Sequence, residues 1–293
     1  MSRSKPVIFG EVLFDCFPDG SRVLGGAPFN VAWHCQAFGL QPLFISRVGN
    51  DPLGQTITSA MLDWGMDISG LQTDSSHATG VVEVSFNDGE PSYNIVENSA
   101  WDFIDQQTIP EIDSPCILYH GSLVLRNPQN TSSLTHLKQH CSESVFIDVN
   151  LRPPWWDLSL IENIIAGGRW LKLNTDELAL IVPDEKNTED RVAYLLSQLS
   201  VELIVVTLGK AGALAASRNE RCSVQPDNNN NVIDTVGAGD AFSSVLLLGL
   251  DKAWPLQLTL NRAQQFASAV VSQRGATTQD KMFYAPFIQD WQL

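Results

Sequence analysis

A carboxylate sits inside a glycine loop near the C-terminus, in the run Asn231-Val232-Ile233-Asp234-Thr235-Val236-Gly237-Ala238-Gly239-Asp240-Ala241-Phe242. Val232 and Ile233 read as the end of a short strand. Gly237 and Gly239 permit a tight turn, and from Ala241 onward Val245, Leu246, Leu248 and Leu250 supply the buried face of a helix. The first amides of a helix have no intrahelical acceptor and lie at the positive end of its dipole, so this loop is a cradle for an anion. Asp240 would repel a phosphate that is merely held there. Beside a phosphoryl group in transfer it becomes useful. The N–H groups from Ala238 to Asp240 would hold developing charge, with Gly237 and Gly239 shaping the loop, while Asp240 takes the proton of the attacking hydroxyl. The competing reading is a helix start in which Asp caps the amides.

A second constellation lies near the N-terminus. Val7 to Asp15 reads as a strand with a polar end, Arg22-Val23-Leu24 as a short return, and Gly25-Gly26-Ala27-Pro28-Phe29-Asn30 as the entry to a helix closed at Gly39. Paired glycines admit a small ligand close to the backbone, and Asp15 with Asn30 offers the acceptors and donor that read hydroxyl groups.

Strand and helix signals then alternate. Leu43 to Val48 is a strand, and Asp51 caps a helix with Pro52 in its first turn. Cys116 to Ser122, Val145 to Asn150, Trp170 to Asn174 and Val201 to Thr207 are further buried strands, His120 being a structural histidine. This pace predicts a parallel sheet with crossover helices. The interval from Thr79 to Ile104 breaks the rhythm: Gly80 to Phe86 and Ser92 to Val96 alternate about the turn Asn87-Asp88-Gly89-Glu90, a hairpin suited to a lid. Trp101 and Phe103 come after it, as core residues or as a cover for the apolar face of a sugar. Extended backbone from Asp148 through Asn150 to Arg152 would place these three on one side.

Together these strings resemble the ribokinase-like (PfkB) family of carbohydrate kinases over nearly the whole chain. The loop matches its D-T-x-G-A-G-D-x-F signature, Gly49 to Gly54 its G-x-D-x-x-G form, and Gly10-Glu11 with Asp15 and Gly25-Gly26-Ala27-Pro28-x-Asn30 its sugar-binding part, closest to the fructokinase branch. Phe29 stands where that branch has a small residue, which would alter the pocket wall. The resemblance implies a three-layer α/β/α fold, a mainly parallel sheet with a small β lid, in one domain spanning 1–293 whose lid comes from segments near 11–25 and 79–98. It implies that Gly25, Gly26, Asp15, Asn30 and Arg152 bind sugar, Arg152 through the D-x-N-x-R-P pattern. Thr207, Gly209 and Gly212 would meet the nucleotide through T-x-G-x-x-G, with Asn174, Gln264 and Ser268 also on the nucleotide side. The N-x-x-E unit of Asn174 and Glu177 would organise magnesium through water, Glu177 in the outer shell; a helix-capping arrangement is the alternative. Asp234 and Thr235 would serve a monovalent-cation loop, for potassium.

The implied activity is ATP-dependent phosphorylation of a primary hydroxyl of a monosaccharide. Gly-Gly-Ala-Pro and Asn-x-Arg-Pro lean towards fructose, with a 2-keto-3-deoxygluconate, ribose or nucleoside acceptor left open. A dinucleotide-dependent oxidoreductase fails on spacing, since Phe242 replaces the third glycine and the loop comes late. A silent sugar or nucleotide binder would gain nothing from a carboxylate facing phosphate.

Composition sets outer bounds. The 293 residues, 44% hydrophobic and 17% charged, suit a globular core. A formal net charge of −15 disfavours nucleic acid and anionic membranes as partners. No apolar run reaches membrane-span length, Val7-Ile8-Phe9 is too short for a secretion signal, and five dispersed cysteines read as free thiols. The expectation is a cytoplasmic enzyme with ATP and a sugar as partners, and a homodimer formed through the lid.

Overall fold

Gly10 cuts the N-terminal apolar run in two, because a Cβ there would collide with the ring of Pro28. On its N-terminal side is β1 (Lys5–Phe9) and on its C-terminal side β2 (Leu13–Cys16), and the two enter different sheets. The computed structural model describes residues 5–87, 90–112, 115–141, 144–226 and 232–293. The expected hairpin tip at Asp88 and Gly89, and the run from Asp227 to Asn231, lie outside them.

After β3 (Arg22–Gly25) come α1 (Ala27–Ala37), β4 (Leu43–Gly49), α2 (Pro52–Asp63) and β5 (Leu71–Asp74). The hairpin is β6 (Gly80–Asn87) and β7 (Glu90–Ile95), followed by β8 (Cys116–His120), α3 (Pro128–His140), β9 (Val145–Asp148), α4 (Leu158–Ala166) and β10 (Trp170–Asn174). The remainder is α5 (Thr175–Ile181), α6 (Thr188–Gln198), β11 (Leu203–Thr207), β12 (Ala213–Ala216), β13 (Arg221–Val224), α7 (Ala238–Asp251), α8 (Leu256–Val270) and α9 (Lys281–Trp291).

A nine-stranded sheet runs β13-β12-β11-β10-β9-β8-β1-β4-β5, parallel except where β12 pairs with β11 and β13. Strand alternation sends Ile8, Phe44, Phe146 and Val205 into one core with α1, α2, α7, α8 and α9. Val7, Ile45, Ile147 and Ile204 point the other way, to α3, α4, α5 and α6. Helices therefore cover both faces. The segments expected to form a lid make the second sheet, β3-β2-β6-β7, antiparallel save for the β2–β6 pair. Asp51 caps α2 as expected, accepting from Gly54 N, and its carboxylate also ties down Thr79 at the root of β6.

Several expectations are corrected. Val232 and Ile233 form no strand; both are exposed, and Ile233 N instead donates to Val271 O at 2.8 Å. The extended run past Asp148 stops, because Asn150 adopts a left-handed φ of 42° and the chain turns through a cis Pro153–Pro154 bond. Phe29 and Trp101 are fully buried, so neither walls a sugar pocket. Cys116 and Cys141 are not free: α3 packs back along β8 and brings their Cα atoms to 5.1 Å in a disulfide, leaving Cys16, Cys35 and Cys222 unpaired among the described residues.

Candidate active site

Successive strands run outward from β1 in one direction through β4 and β5, and in the other from β8 through β11. The chain order reverses between β1 and β8, and open α/β sheets bind ligands outside the carboxyl ends of strands at such a point. Gly10-Glu11 leaves β1 there and Gly121-Ser122 leaves β8.

Helix α7 begins beside this edge. Gly237, with a left-handed φ of 78°, is its N-cap, and a Cβ at this position would collide with Ala276. The Ala238 amide is drawn towards Thr235 O at 3.4 Å, which leaves the amides of Gly239 and Asp240 as the open part of the cradle. Half-buried Asp240 accepts from Asn30 Nδ2 at 2.8 Å, so the first turns of α1 and α7 meet through this bond. Burial raises the Asp240 carboxyl to about 6; the Asn30 bond and the charges of Lys172 and Arg152 pull it back, while Asp148 pushes it up. A carboxyl group with such a pKa can serve as a base close to neutral pH.

Beneath the helix lies a buried network of which the sequence motifs contain only Asp148. Asp148 Oδ2 accepts from Lys172 Nζ at 2.7 Å, Ser243 Oγ at 2.7 Å and Tyr119 Oη at 3.0 Å. A Cβ added at Gly239 would lie 3.3 Å from Lys172 Nζ, so this ammonium sits directly under the glycine loop. A lysine inside Trp170-Leu171-Lys172-Leu173 was the available signal, because a charge on a buried strand requires a partner. A further missed residue, His34 of α1, joins Ala276 O through Nε2 and Tyr284 Oη through Nδ1, each at 3.0 Å. Burial lowers its pKa to about 3, so it is neutral and holds the Gly275-Ala276 turn against Gly237.

On the lid side, Gly26 takes a φ of 110°, and a Cβ there would stand 2.7 Å from Glu11 O. A Cβ on Gly25 would fall 3.6 Å from Asp15 Oδ2, which places this carboxylate, raised by burial, beside the glycine pair. Glu11 belongs to the Gly10-Glu11 string, which gave it no role of its own. It is 3% exposed and its Oε2 has no partner among the described residues, as is true of Asn30 Oδ1. Burial raises the Glu11 carboxyl to about 7, against Arg152 and Arg126, and with Asp240 adding to the rise. Arg152 is exposed, its Nη1 donating only to Leu151 O, and its charge reaches both Glu11 and Asp240.

On the opposite side, Asn174 and Thr207 are register partners at the ends of β10 and β11. Gly209 and Gly212, both at positive φ, turn the chain from β11 to β12. Asn174 and Glu177 form a full capping box: Asn174 Oδ1 accepts from Asp176 N and Glu177 N, and Glu177 Oε2 from Asn174 N. Glu177 Oε1 accepts from Leu151 N at 2.8 Å. Both carboxylate oxygens already hold amides, so these residues fit a metal carried by phosphate and water and do not fit direct ligation. No group of three or more His, Cys, Asp or Glu is placed to hold a metal among the described residues. Asp234 accepts from Val236 N and Gly275 N, both at 3.0 Å, and so joins the two loops behind Gly237. Gln264 and Ser268 bond each other on α8, which packs against α7 and β13.

Comparison with known proteins gives the family of the chain. The profile of the pfkB family carbohydrate kinases matches residues 16–282. A fructokinase of Escherichia coli is 30% identical over 94% of the chain and 95% of its own length. The chain superposes on a Vibrio cholerae fructokinase solved with fructose, ADP and calcium ion at a TM-score of 0.83, with 27% identity over 97% of this chain and 99% of that one. An uncharacterized sugar kinase of Pyrococcus horikoshii in complex with ATP superposes at 0.79, with 26% identity over 92% and 93%.

Proposed function

The chain belongs to the pfkB family of carbohydrate kinases and is an ATP-dependent sugar kinase, and on that footing we propose that it phosphorylates the primary hydroxyl of fructose. The observation that carries the mechanism is the Asn30–Asp240 bond at the mouth of α7. It holds one oxygen of the base and leaves the other for a substrate hydroxyl. Asp240 removes the hydroxyl proton as the oxygen attacks the γ-phosphorus. The Gly239 and Asp240 amides, with the start of α7 behind them and Lys172 beneath, accept the charge that builds on the phosphoryl oxygens. ATP lies over the ends of β10 and β11, against Asn174, Thr207, Gly209 and Gly212, with Gln264 and Ser268 towards the base. Glu177 would stand outside the water shell of a divalent ion, magnesium in this reading, which would supply positive charge to the phosphates. Asp234 and Thr235 border a potassium loop.

The sugar side distinguishes the acceptors. Glu11 Oε2 and Asn30 Oδ1 are buried acceptors without donors, and Asp15 adds a third beside Gly25 and Gly26. A neutral polyol donates hydroxyls to them. A sugar acid such as 2-keto-3-deoxygluconate would bring a carboxylate among Glu11, Asp15 and Asp240, with exposed Arg152 as counter-charge. The E. coli relative is a fructokinase, and the Vibrio relative was solved with fructose, which supports the same choice.

The described residues contain no helix long and apolar enough to cross a membrane. We place the enzyme in the cytoplasm, where ATP is available, as one domain. A homodimer through the lid would cover the exposed Val23 and Tyr93 of β3 and β7. The deciding experiment is a phosphorylation screen with ATP over hexoses, pentoses, 2-keto-3-deoxygluconate and nucleosides, with the product position assigned by phosphorus NMR. Fructose should exceed the rest in kcat/KM by roughly tenfold or more. Preference for the sugar acid or a nucleoside would overturn the fructose assignment.

A further inference from the structure

Arg126, at the end of a short 3-10 turn after β8, is 3% exposed and gathers three separate segments. Its Nε and Nη2 donate to the two oxygens of Asp102, each at 2.7 Å. Nη2 also donates to Val96 O at 2.6 Å and Nη1 to Ile95 O at 3.5 Å, at the point where β7 leaves the lid. The guanidinium lies 4.1 Å from the Trp101 ring centroid and 4.7 Å from that of Trp155. Trp155 belongs to the Arg152 loop, and its amide donates to Arg152 O at 2.9 Å.

A buried guanidinium is satisfied as an ion by its bidentate carboxylate alone. The carbonyls of the lid exit and the half-buried indole of Trp155 are additional, and both belong to parts of the sugar side. We propose that Arg126 is a positioning residue that couples the lid to the Arg152 loop, so that closure over the sugar and placement of Arg152 occur together. The coupling rests on the sugar-kinase reading for its purpose but not for its existence. The nucleotide side, built on β10, β11 and α8, makes no contact with this cluster in the bonds above.

Trp155→Ala removes one stacking face and leaves the Arg126–Asp102 pair intact, which avoids the unfolding that Arg126→Met risks by stranding Asp102. Hydrogen exchange of the purified full chain should then rise in two places, residues 150–157 and, across the guanidinium, residues 94–99. KM for the sugar should rise roughly tenfold while KM for ATP stays as in the wild type. ATP hydrolysis per sugar phosphorylated should increase as the lid admits water. Arg126→Lys, which keeps charge but loses the fork, should give the same pattern more weakly. Faster exchange confined to residues 150–157, or equal rises in both KM values, would overturn the coupling. If the wild type phosphorylates no sugar, the functional reading fails, and the exchange result still decides whether the two segments are coupled.

Discussion

Asn30 and Asp240 are 210 positions apart in the chain and joined by a 2.8 Å hydrogen bond. The bond fixes the carboxylate at the seam between the first turns of α1 and α7. Loss of the amide should therefore disturb acid–base chemistry as well as sugar binding. Asn30→Ala is expected to raise the Asp240 pKa, because the Asn30 bond is the largest influence opposing burial. The acid limb of kcat/KM should move to higher pH, and an unmoved limb would show that the bond does not tune the base.

In the wild type that limb should centre near pH 6, with activity falling about tenfold per pH unit below it. The sign comes from the active form being ionised: burial raises this carboxyl above its usual value, so the base is lost earlier on acidification than an exposed aspartate would be. A kcat/KM profile in fructose, flat down to pH 4, would contradict it.

Removing Lys172 should be costly in two ways. Lys172→Met leaves Asp148 with the hydroxyls of Tyr119 and Ser243 but no cation, in a site where both charges are buried. Breaking such a pair costs about 3–5 kcal/mol, measurable by urea unfolding. The lost charge should also shift the acid limb of activity upward, since Lys172 lowers the Asp240 pKa.

Glu11 predicts a pH dependence of stability. Its folded pKa of about 7 lies above its ordinary 4.5, so its contribution is fully present below about 4.5 and is lost as pH rises through 7. At higher pH the buried charge costs on the order of 3 kcal/mol. Urea unfolding should show wild-type stability declining from pH 5 to 8 and Glu11→Gln declining less. Parallel curves would refute the assignment.

Gly212 and Gly209 separate two reasons for glycine. A Cβ at Gly212 would strike Val224 O at a φ of 95°, whereas at Gly209, φ 56°, it meets nothing within 4 Å. Gly209→Ala should cost only the left-handed penalty of about 1–2 kcal/mol. Gly212→Ala should cost clearly more and separate β12 from β13, as thermal unfolding would reveal.

The parts of the site that could be read in the sequence are those written locally. The glycines before Asp240, the Gly-Gly-Ala-Pro entry to α1 and the Asp51 cap each fix a backbone shape within a few residues. The sheet and lid came from periodicity. What escaped depends on distant segments. Nothing near Lys172 announces Asp148 and Ser243, and nothing near Glu11 shows that its carboxyl will be buried without a donor. Val232 and Ile233 have strand-like side chains but lie exposed beside the end of α8. The Asn174–Glu177 spacing serves a capping box equally well, and both carboxylate oxygens are indeed held by amides. Two dispersed cysteines became neighbours only through the return of α3.

We assign the proton of the sugar hydroxyl to Asp240 as base. The measurement that meets this assignment most directly is single-turnover phosphoryl transfer by Asp240→Asn beside the wild type, with ADP affinity determined on the same preparations by calorimetry. The expected result is a rate lower by roughly a thousandfold with nucleotide affinity unchanged. Transfer at a rate comparable to the wild type would contradict it.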